Sequence, residues 1–314
     1  MTSTFGRNFP KLGLDALEKR PAWWQDLLDA RFTDASGKKR PLFLAVRDNY
    51  LNAYVEGQSI SKIKFKAEKP PSVLRASIRA SIHHKYVLEK AEGQKYSRFD
   101  GIKAGDVRYT GPKMLDGWIE KARCFAGEEK KGVAVIAANN PNVIDVEMGL
   151  PMGLRGHADR IDMVALERHG QAIRIVFYEA KCFKNSSLVS TTQPKVLDQL
   201  KRYTEWLKAE GRCKLLTDSY RRTCQILVTL RGMQKGQDMH RLISEAAGEQ
   251  SILVVDPAPR LVIFGYDRSR LHPNWHGQHR PKLEEAGLRH NRLIIKPSSK
   301  EIKLPDGLGN DSFK

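Results

Sequence analysis

Two acidic residues and a lysine near the middle of the chain have types and spacing that could bind a divalent cation and act on a phosphate ester. Glu179 and Lys181 are two positions apart at the end of an apolar run. Side chains alternate across a strand, so both share a face with Ile175 and Phe177. A charged pair that extends an apolar face is costly to bury unless it is paired or holds a metal ion. The run therefore predicts a cleft at this end of the strand.

The second acidic residue is expected on the preceding strand of a β-hairpin. A two-residue turn at His169-Gly170 puts Asp162 opposite Phe177, on the same face as Glu179. A one-residue slip in register would bring Asp159 to that face instead. We prefer Asp162 because the even-length turn is simpler, and Asp159 stays the alternative ligand.

Phosphodiester hydrolysis needs hard oxygen ligands for Mg²⁺ (or Mn²⁺), a positioned water molecule and positive charge near the developing phosphorane. The carboxylates of Asp162 and Glu179 would be ligands, with the Ala180 carbonyl as a further one. Lys181 would help to orient or deprotonate the attacking water and would stabilise the charge of the transition state.

These residues resemble a known motif. Asp162, followed 17 positions later (179 − 162) by Glu179-Ala180-Lys181, resembles the D…(D/E)-x-K core of the PD-(D/E)XK nuclease superfamily. The run Gly156–Asp162 resembles the G-x-x-D-R-I-D segment of nuclease domains of the RecB type. The resemblance covers about residues 113 to 231 and implies a restriction-endonuclease-like fold with nuclease activity.

The same nuclease domains carry a Q-x-x-x-Y motif on the next helix, and Gln199 and Tyr203 match it. Residues at i and i+4 project from one helical face. The resemblance implies that both support the active site or contact the nucleic-acid backbone. The superfamily often has a further acidic residue upstream, for which Glu120 and Glu147 are the two candidates.

The composition favours a polyanionic partner. The chain has 54 Lys and Arg against 36 Asp and Glu, a net charge of +18, and 40% hydrophobic residues. Such a field favours nucleic acid, and we expect DNA in preference to RNA, because no RNA-specific motif is visible. No apolar run is long enough to cross a bilayer, so we expect no membrane partner. With no secretory signal and no C-x-x-C spacing, a cytoplasmic protein is expected.

The elements that must position these residues predict an α/β (α+β) protein: a mixed central sheet flanked by helices, with an N-terminal β-meander subdomain. We assign residues 1–70 to a helix and a three-stranded meander, 71–112 to a helix and linker, 113–270 to the nuclease-like domain and 271–314 to a basic tail. The predicted strands are Leu42–Arg47, Tyr50–Glu56, Ser59–Phe65, Val133–Ala138, Val143–Met148, His157–Leu166, Ala172–Cys182 and Cys224–Leu230, with a hairpin over Ser251–Phe264. The predicted helices are Leu14–Ala30, Ser72–Ala91, Lys113–Phe125, Pro194–Glu210 and Asp238–Ala247.

Two basic segments have alternative interpretations. Lys62 and Lys64 alternate with Ile63, which is typical of a solvated strand face or of a ribbon that contacts phosphates. The segment containing Trp275 and His279 is expected to be a solvated loop, with metal binding or stacking of the indole on a base as the alternatives.

The sequence thus predicts an endonuclease acting on DNA, in bacterial restriction or antiphage defence, working as a homodimer or with a partner protein. The alternative is a catalytically inactive nucleic-acid-binding or adaptor protein that retains the nuclease fold.

Overall fold

The structure is a computed structural model that describes residues 5–68, 73–79, 111–150, 159–190, 192–234, 239–266 and 274–308. The chain forms two compact units. One contains residues 1–5, 135–228 and 238–314, and the other contains residues 6–134 and 229–237. The segment 113–270, predicted from the sequence as one domain, takes residues from both units. The segment 271–314, predicted as a tail, belongs to the first of them.

The second unit contains the antiparallel meander. After a short β1–β2 ladder (Arg31–Thr33 and Lys39–Pro41), strands β3 (Phe43–Arg47), β4 (Tyr50–Val55) and β5 (Gln58–Glu68) pair in sequence order. The three predicted meander strands are therefore confirmed. The ammonium group of Lys62 lies 3.9 Å from the centroid of the Tyr50 ring, while Ile63 is fully buried. The predicted alternation of partly exposed lysines with a buried isoleucine is thus present in β5.

A fourth strand and a divided helix correct the sequence-based prediction for this unit. Residues Val73–Arg79 form β6, which pairs with β5, where a helix was predicted to begin. Without β6, one edge of β5 would have unpaired backbone N–H and C=O groups. A strand can pair with these groups, whereas a helix cannot. The predicted helix Leu14–Ala30 is two helices, α1 (Lys11–Glu18) and α2 (Ala22–Asp29), separated around Pro21. The next helix, α3 (Pro112–Cys124), is confirmed, and residues 80–110, which include the rest of the predicted helix Ser72–Ala91, lie outside the described ranges.

The first unit is built on a mixed sheet of six strands. These are β7 (Val143–Gly149), β8 (Arg160–His169), β9 (Ala172–Cys182), β10 (Ile252–Val255), β11 (Arg260–Phe264) and β12 (Leu293–Lys296). The order is β12-β11-β9-β8-β7, with β10 also paired to β9. Strand β8 is antiparallel to both of its neighbours, β7 and β9, while β10 and β11 run parallel to β9. The predicted mixed α+β architecture is confirmed at this level.

Two apolar runs predicted as strands are helical. Val133–Ala138 lies within α4 (Glu128–Asn139), and Cys224–Leu230 lies within α6 (Arg212–Met233). An apolar run of six or seven residues fits a buried strand and a buried helix equally well, so local periodicity alone does not decide. The helix α5 (Lys195–Lys208) between β9 and α6 agrees with its prediction. Two short helices, α7 (Arg241–Ala247) and α8 (Arg280–Glu285), complete the helical elements used below.

The predicted hairpin over Ser251–Phe264 is also wrong. Strand β10 pairs with the first part of β9, and β11 pairs with its last part, so both run in the same direction along one edge. The amide of Asp256 donates to the carbonyl of Ile175 at 3.0 Å and keeps the connection on that edge. Strand β9 is long enough to pair with two short strands in succession, which no local pattern reveals.

A buried cationic group anchors β11 to the sheet. Arg260 is 1% exposed, and its guanidinium lies 2.6 Å from the Glu167 carboxylate and 3.5 Å from that of Asp256. It also donates to the Tyr178 hydroxyl at 3.3 Å. Burial raises the pKa of Tyr178 above its usual range, so this hydroxyl keeps its proton. The charge of Arg260 is therefore offset entirely inside the protein.

We predict that Arg260→Ala destabilises the fold by about 3–5 kcal/mol, because it leaves the carboxylates of Glu167 and Asp256 without their cation. The measurement is urea-induced unfolding followed by circular dichroism. Arg280→Ala is the matched control: it removes an exposed arginine paired with Glu284, which should cost at most about 0.5 kcal/mol. Equal losses in both variants would contradict a structural role for the buried charge.

Candidate active site

The register of β8 and β9 brings Asp162 beside Glu179. The observed pairs run from His169–Ala172 to Met163–Tyr178, and the next position along places Asp162 opposite Glu179. The turn therefore lies at Gly170-Gln171, one residue later than predicted, and Gly170 adopts the positive φ (58°) that such a turn requires. The predicted partner of Asp162, Phe177, is wrong by two residues. A register shift of two residues leaves each side chain on the same face of the sheet, so the predicted face of Asp162 is correct.

Glu179 and Lys181 form an ion pair inside the protein. Their side chains are on the same face of β9, and the residues are 1% and 7% exposed. The Lys181 ammonium donates to the Oε1 atom of Glu179. A buried carboxylate with a charge-assisted hydrogen bond is held in a fixed orientation, because any rotation would cost this bond.

Asp162 is held by the backbone of the neighbouring strand. Its Oδ2 atom accepts a hydrogen bond of 2.8 Å from the amide of Ala180. Burial raises the pKa of Asp162 well above its usual value, and the negative charge of Glu179 raises it further, against the lowering effect of Lys181. The two carboxylates are therefore close enough to repel each other, which is the condition under which a bound cation is stabilising.

The helix α5 supplies a second contact to Glu179. The hydroxyl of the fully buried Tyr203 lies 3.0 Å from Glu179 Oε2 and also contacts the carbonyl of Arg160, so its single proton serves one of these acceptors at a time. The Gln199 amide donates to the Tyr203 oxygen at 2.5 Å. Burial and the charge of Glu179 raise the pKa of Tyr203. Tyr203 thus contacts the Glu179 carboxylate directly, and Gln199 acts on it through Tyr203.

Asp159, the alternative ligand, lies elsewhere. Its two oxygens accept from the Nε and Nη2 atoms of Arg202 at 2.8 and 3.0 Å. This bidentate pair ties the start of β8 to α5 and engages both oxygens of the carboxylate. The structure brings Asp162, rather than Asp159, to Glu179. Arg202 was missed in the sequence, although it lies inside the Q-x-x-x-Y segment.

Glu147 is the upstream acidic residue that lies near this cluster. The pairs Val146–Met163 and Met148–Ile161 put Glu147 opposite Asp162, and its charge contributes to the raised pKa of that residue. Glu147 is 8% exposed and has a φ of +52°, a strained conformation for a residue other than glycine. The other candidate, Glu120, is exposed on α3 in the other unit.

The segment expected to be a solvated loop near the C-terminus has two buried side chains, Trp275 and His279, among exposed residues such as His276 and Arg280. Trp275 is 1% exposed and packs edge-on against Phe183, with 4.8 Å between ring centroids. His279 is 3% exposed, and its Nδ1 atom accepts from the amide of Ser190 at 3.3 Å. Stacking of Trp275 on a base is therefore wrong. The π-helical turn Trp275–His279 packs both rings into the unit.

Within the described ranges, no group of three or more His, Cys, Asp or Glu side chains is arranged around one metal position. Asp162 and Glu179 are thus a pair of carboxylates that could hold a cation only with other oxygen atoms.

Comparisons of the chain with protein-family models, with curated proteins and with solved structures found no match. Among the described residues, no helix combines the length and the apolar character needed to cross a bilayer.

The raised pKa of Asp162 predicts a pH-dependent effect of Asp162→Asn in metal-free buffer. The folded state binds the Asp162 proton more tightly than the unfolded state, whose pKa is near 3.8. Ionisation therefore costs the wild type stability as the pH rises above that value. The variant cannot ionise, so its urea midpoint should exceed that of the wild type at neutral pH, and the gap should close as the pH falls toward 3.8.

The control is Asp218→Asn, which replaces an exposed carboxylate on α6 and should leave the pH dependence unchanged. A gap between Asp162→Asn and wild type that stays constant with pH would show that Asp162 is not the titrating group.

Proposed function

We propose that the chain is a Mg²⁺-dependent nuclease of the PD-(D/E)XK type, with a restriction-endonuclease-like fold, that hydrolyses phosphodiester bonds in DNA. One observation carries the proposal: the carboxylate of Asp162 lies beside the buried Glu179–Lys181 pair, and Tyr203 holds the second oxygen of Glu179. Two carboxylates, an ammonium group and a fixed geometry are what metal-assisted phosphodiester hydrolysis requires.

The residues that would hold Mg²⁺, or Mn²⁺ in its place, are Asp162 and Glu179, with the Ala180 carbonyl as a third ligand. Glu147 is a further carboxylate near Asp162. Mg²⁺ is commonly bound through one or two carboxylates and completes its shell with water and substrate phosphate. A site with fewer than three acidic side chains therefore fits this ion. When bound, the cation would supply polarisation of the phosphate and a more acidic water molecule.

The protein's own groups have separate tasks in this proposal. The Lys181 ammonium, held by Glu179, orients the attacking water and offsets the negative charge that develops on the phosphate in the transition state. Tyr203 and Gln199 are positioning residues. They hydrogen-bond to each other, and Tyr203 contacts Glu179 Oε2 while Lys181 contacts Oε1, so the carboxylate keeps one orientation.

The net charge of the chain favours a polyanionic substrate. A net charge of +18 attracts polyanions, speeds their capture and makes binding dependent on salt concentration. We assign the substrate to DNA rather than RNA. Restriction or antiphage defence is the proposed setting, with either a second copy of the chain or another protein as partner.

The alternative candidate is a nucleic-acid-binding or adaptor protein that retains the fold without catalysis. Such a protein would bind DNA with no requirement for Lys181 and would not respond to Mg²⁺ at Asp162. The two experiments below separate the candidates.

We predict that Lys181→Ala lowers Mg²⁺-dependent DNA cleavage by about 10²–10³-fold while DNA binding is retained, because a charge near the developing oxyanion is lost. The measurement is a gel assay of plasmid and linear DNA with purified protein, with and without EDTA. Lys184→Ala removes an exposed lysine three positions away and serves as the control. Cleavage that persists in EDTA, or equal activity of the Lys181 and Lys184 variants, would refute the proposed chemistry.

We also predict that Mg²⁺ raises the unfolding temperature of the wild type and not that of Asp162→Asn. A ligand that binds only the folded state at 100 times its dissociation constant adds about 2.7 kcal/mol. Differential scanning fluorimetry over a Mg²⁺ titration measures the shift, with Asp159→Asn as the comparison at the alternative position. A shift that survives Asp162→Asn and disappears in Asp159→Asn would reverse the assignment of the ligand.

A further inference from the structure

A second face of the helix α5, directed away from Gln199 and Tyr203, lines a groove. The groove, of about 530 Å³, lies between this face and the segment around α8. From α5 its lining includes Leu197, Lys201 and Thr204, which follow helical spacing of i, i+4 and i+7. The groove therefore occupies the flank of the same helix that reaches the candidate active site from its other side.

The groove is cationic at its rim. Its lining includes Lys201, Lys282 and Arg292 against one carboxylate, that of Glu285. Lys201 is exposed and has no ion-pair partner within the part of the chain that the structure describes. This excess of cationic over acidic side chains at the rim favours an anionic ligand.

Two of the three cations are held in place by backbone carbonyls. The guanidinium of Arg292 donates to the carbonyls of Gly287 and Pro259 at 3.1 and 3.3 Å, and its Nε atom is buried without a hydrogen-bond partner among the described residues. Lys282 donates to the Ser190 carbonyl at 3.2 Å. The carbonyl contacts of Arg292 orient its guanidinium without neutralising it, so its charge remains available to a ligand.

The remaining lining is apolar or neutral. Leu200 and Leu288 are buried at the floor, and Leu197 is half-buried. Thr192 and Thr204 add hydroxyl groups. A cavity of this size with an apolar floor and a few polar groups is typical of sites for small ligands. Apolar floor and cationic rim together match a nucleotide, whose base is flat and apolar on its faces and whose phosphate is anionic.

The position of the groove connects it to the candidate active site. It begins at Thr192 and Gln193, in the segment that leads from β9, the strand of Glu179 and Lys181, to α5. A helix with its side chains is about 10 Å across. At the 3.4 Å rise per nucleotide of one DNA strand, that width corresponds to roughly three nucleotides.

We propose that this groove binds one nucleotide of the DNA strand, roughly three nucleotides from the cleaved phosphate, with Lys201 and Arg292 contacting its phosphate and Leu197 and Leu200 contacting its base or sugar. This assignment rests on the proposed nuclease function. It makes α5 a two-sided element, with one side fixing Glu179 and the other holding the substrate strand.

The test is fluorescence anisotropy with a short fluorescein-labelled single-stranded oligonucleotide, in EDTA so that cleavage does not interfere. Lys201→Ala should weaken binding by roughly three- to tenfold. It should also reduce the slope of log affinity against log salt by about 0.7, the value for one phosphate contact on a single strand. Thr204→Glu places a carboxylate in the groove without removing a cation, and it should weaken binding at least as much.

The matched control is Lys208→Ala, an exposed lysine on the same helix outside the groove, which should bind as the wild type does. If Lys201→Ala and Thr204→Glu also bind as the wild type does, the proposal is overturned. Free dAMP that binds more tightly than the strand would overturn the assignment to a strand, and displacement of DNA by an equal concentration of polyglutamate would overturn the assignment to nucleic acid.

Cleavage by the same proteins separates the two proposals. If the wild type does not cleave DNA but Lys201→Ala loses strand binding, the groove is supported and the nuclease is rejected. If the wild type cleaves in Mg²⁺ and Lys201→Ala both binds and cleaves like it, the groove alone is rejected.

Discussion

The buried carboxylate of Glu179 is the constraint on which the first unit depends. At 1% exposure it would be unfavourable without partners, and it has one on each oxygen: the Lys181 ammonium on Oε1 and the Tyr203 hydroxyl on Oε2. The first partner comes from the same strand and the second from α5. Satisfying this one charge therefore fixes both the side chains of β9 and the rotation of the helix that covers it.

The two faces of the sheet differ in how their buried charges are compensated. On the face of Tyr178, the cation Arg260 is compensated by the carboxylates of Glu167 and Asp256 and also donates to the Tyr178 hydroxyl. On the face of Glu179, a second carboxylate, Asp162, lies close enough to have its pKa raised. The first arrangement stabilises the fold as it stands, whereas the second is stabilised by adding positive charge. Such a contrast is typical of a sheet with one structural face and one functional face.

The sequence was sufficient where a pattern was both long and periodic. The alternation of β9 and the helical spacing of α5 were recognisable, because many side chains must reach the same core. It failed at the short apolar runs Val133–Ala138 and Cys224–Leu230, which are helical. It also failed at β10 and β11, because adjacent strands in sequence usually form a hairpin, whereas here both add to β9.

Within the candidate site, the sequence by itself determined which residues share a face: Glu179 with Lys181 on a strand, and Gln199 with Tyr203 on a helix. Those relations follow from periods of two and 3.6 residues, which are local properties of the backbone. Only the tertiary structure decided the register that puts Asp162 opposite Glu179, and only it pairs Asp159 with Arg202. Contacts between elements depend on how distant segments pack, and residues far apart in the chain do not encode their partner in any local pattern.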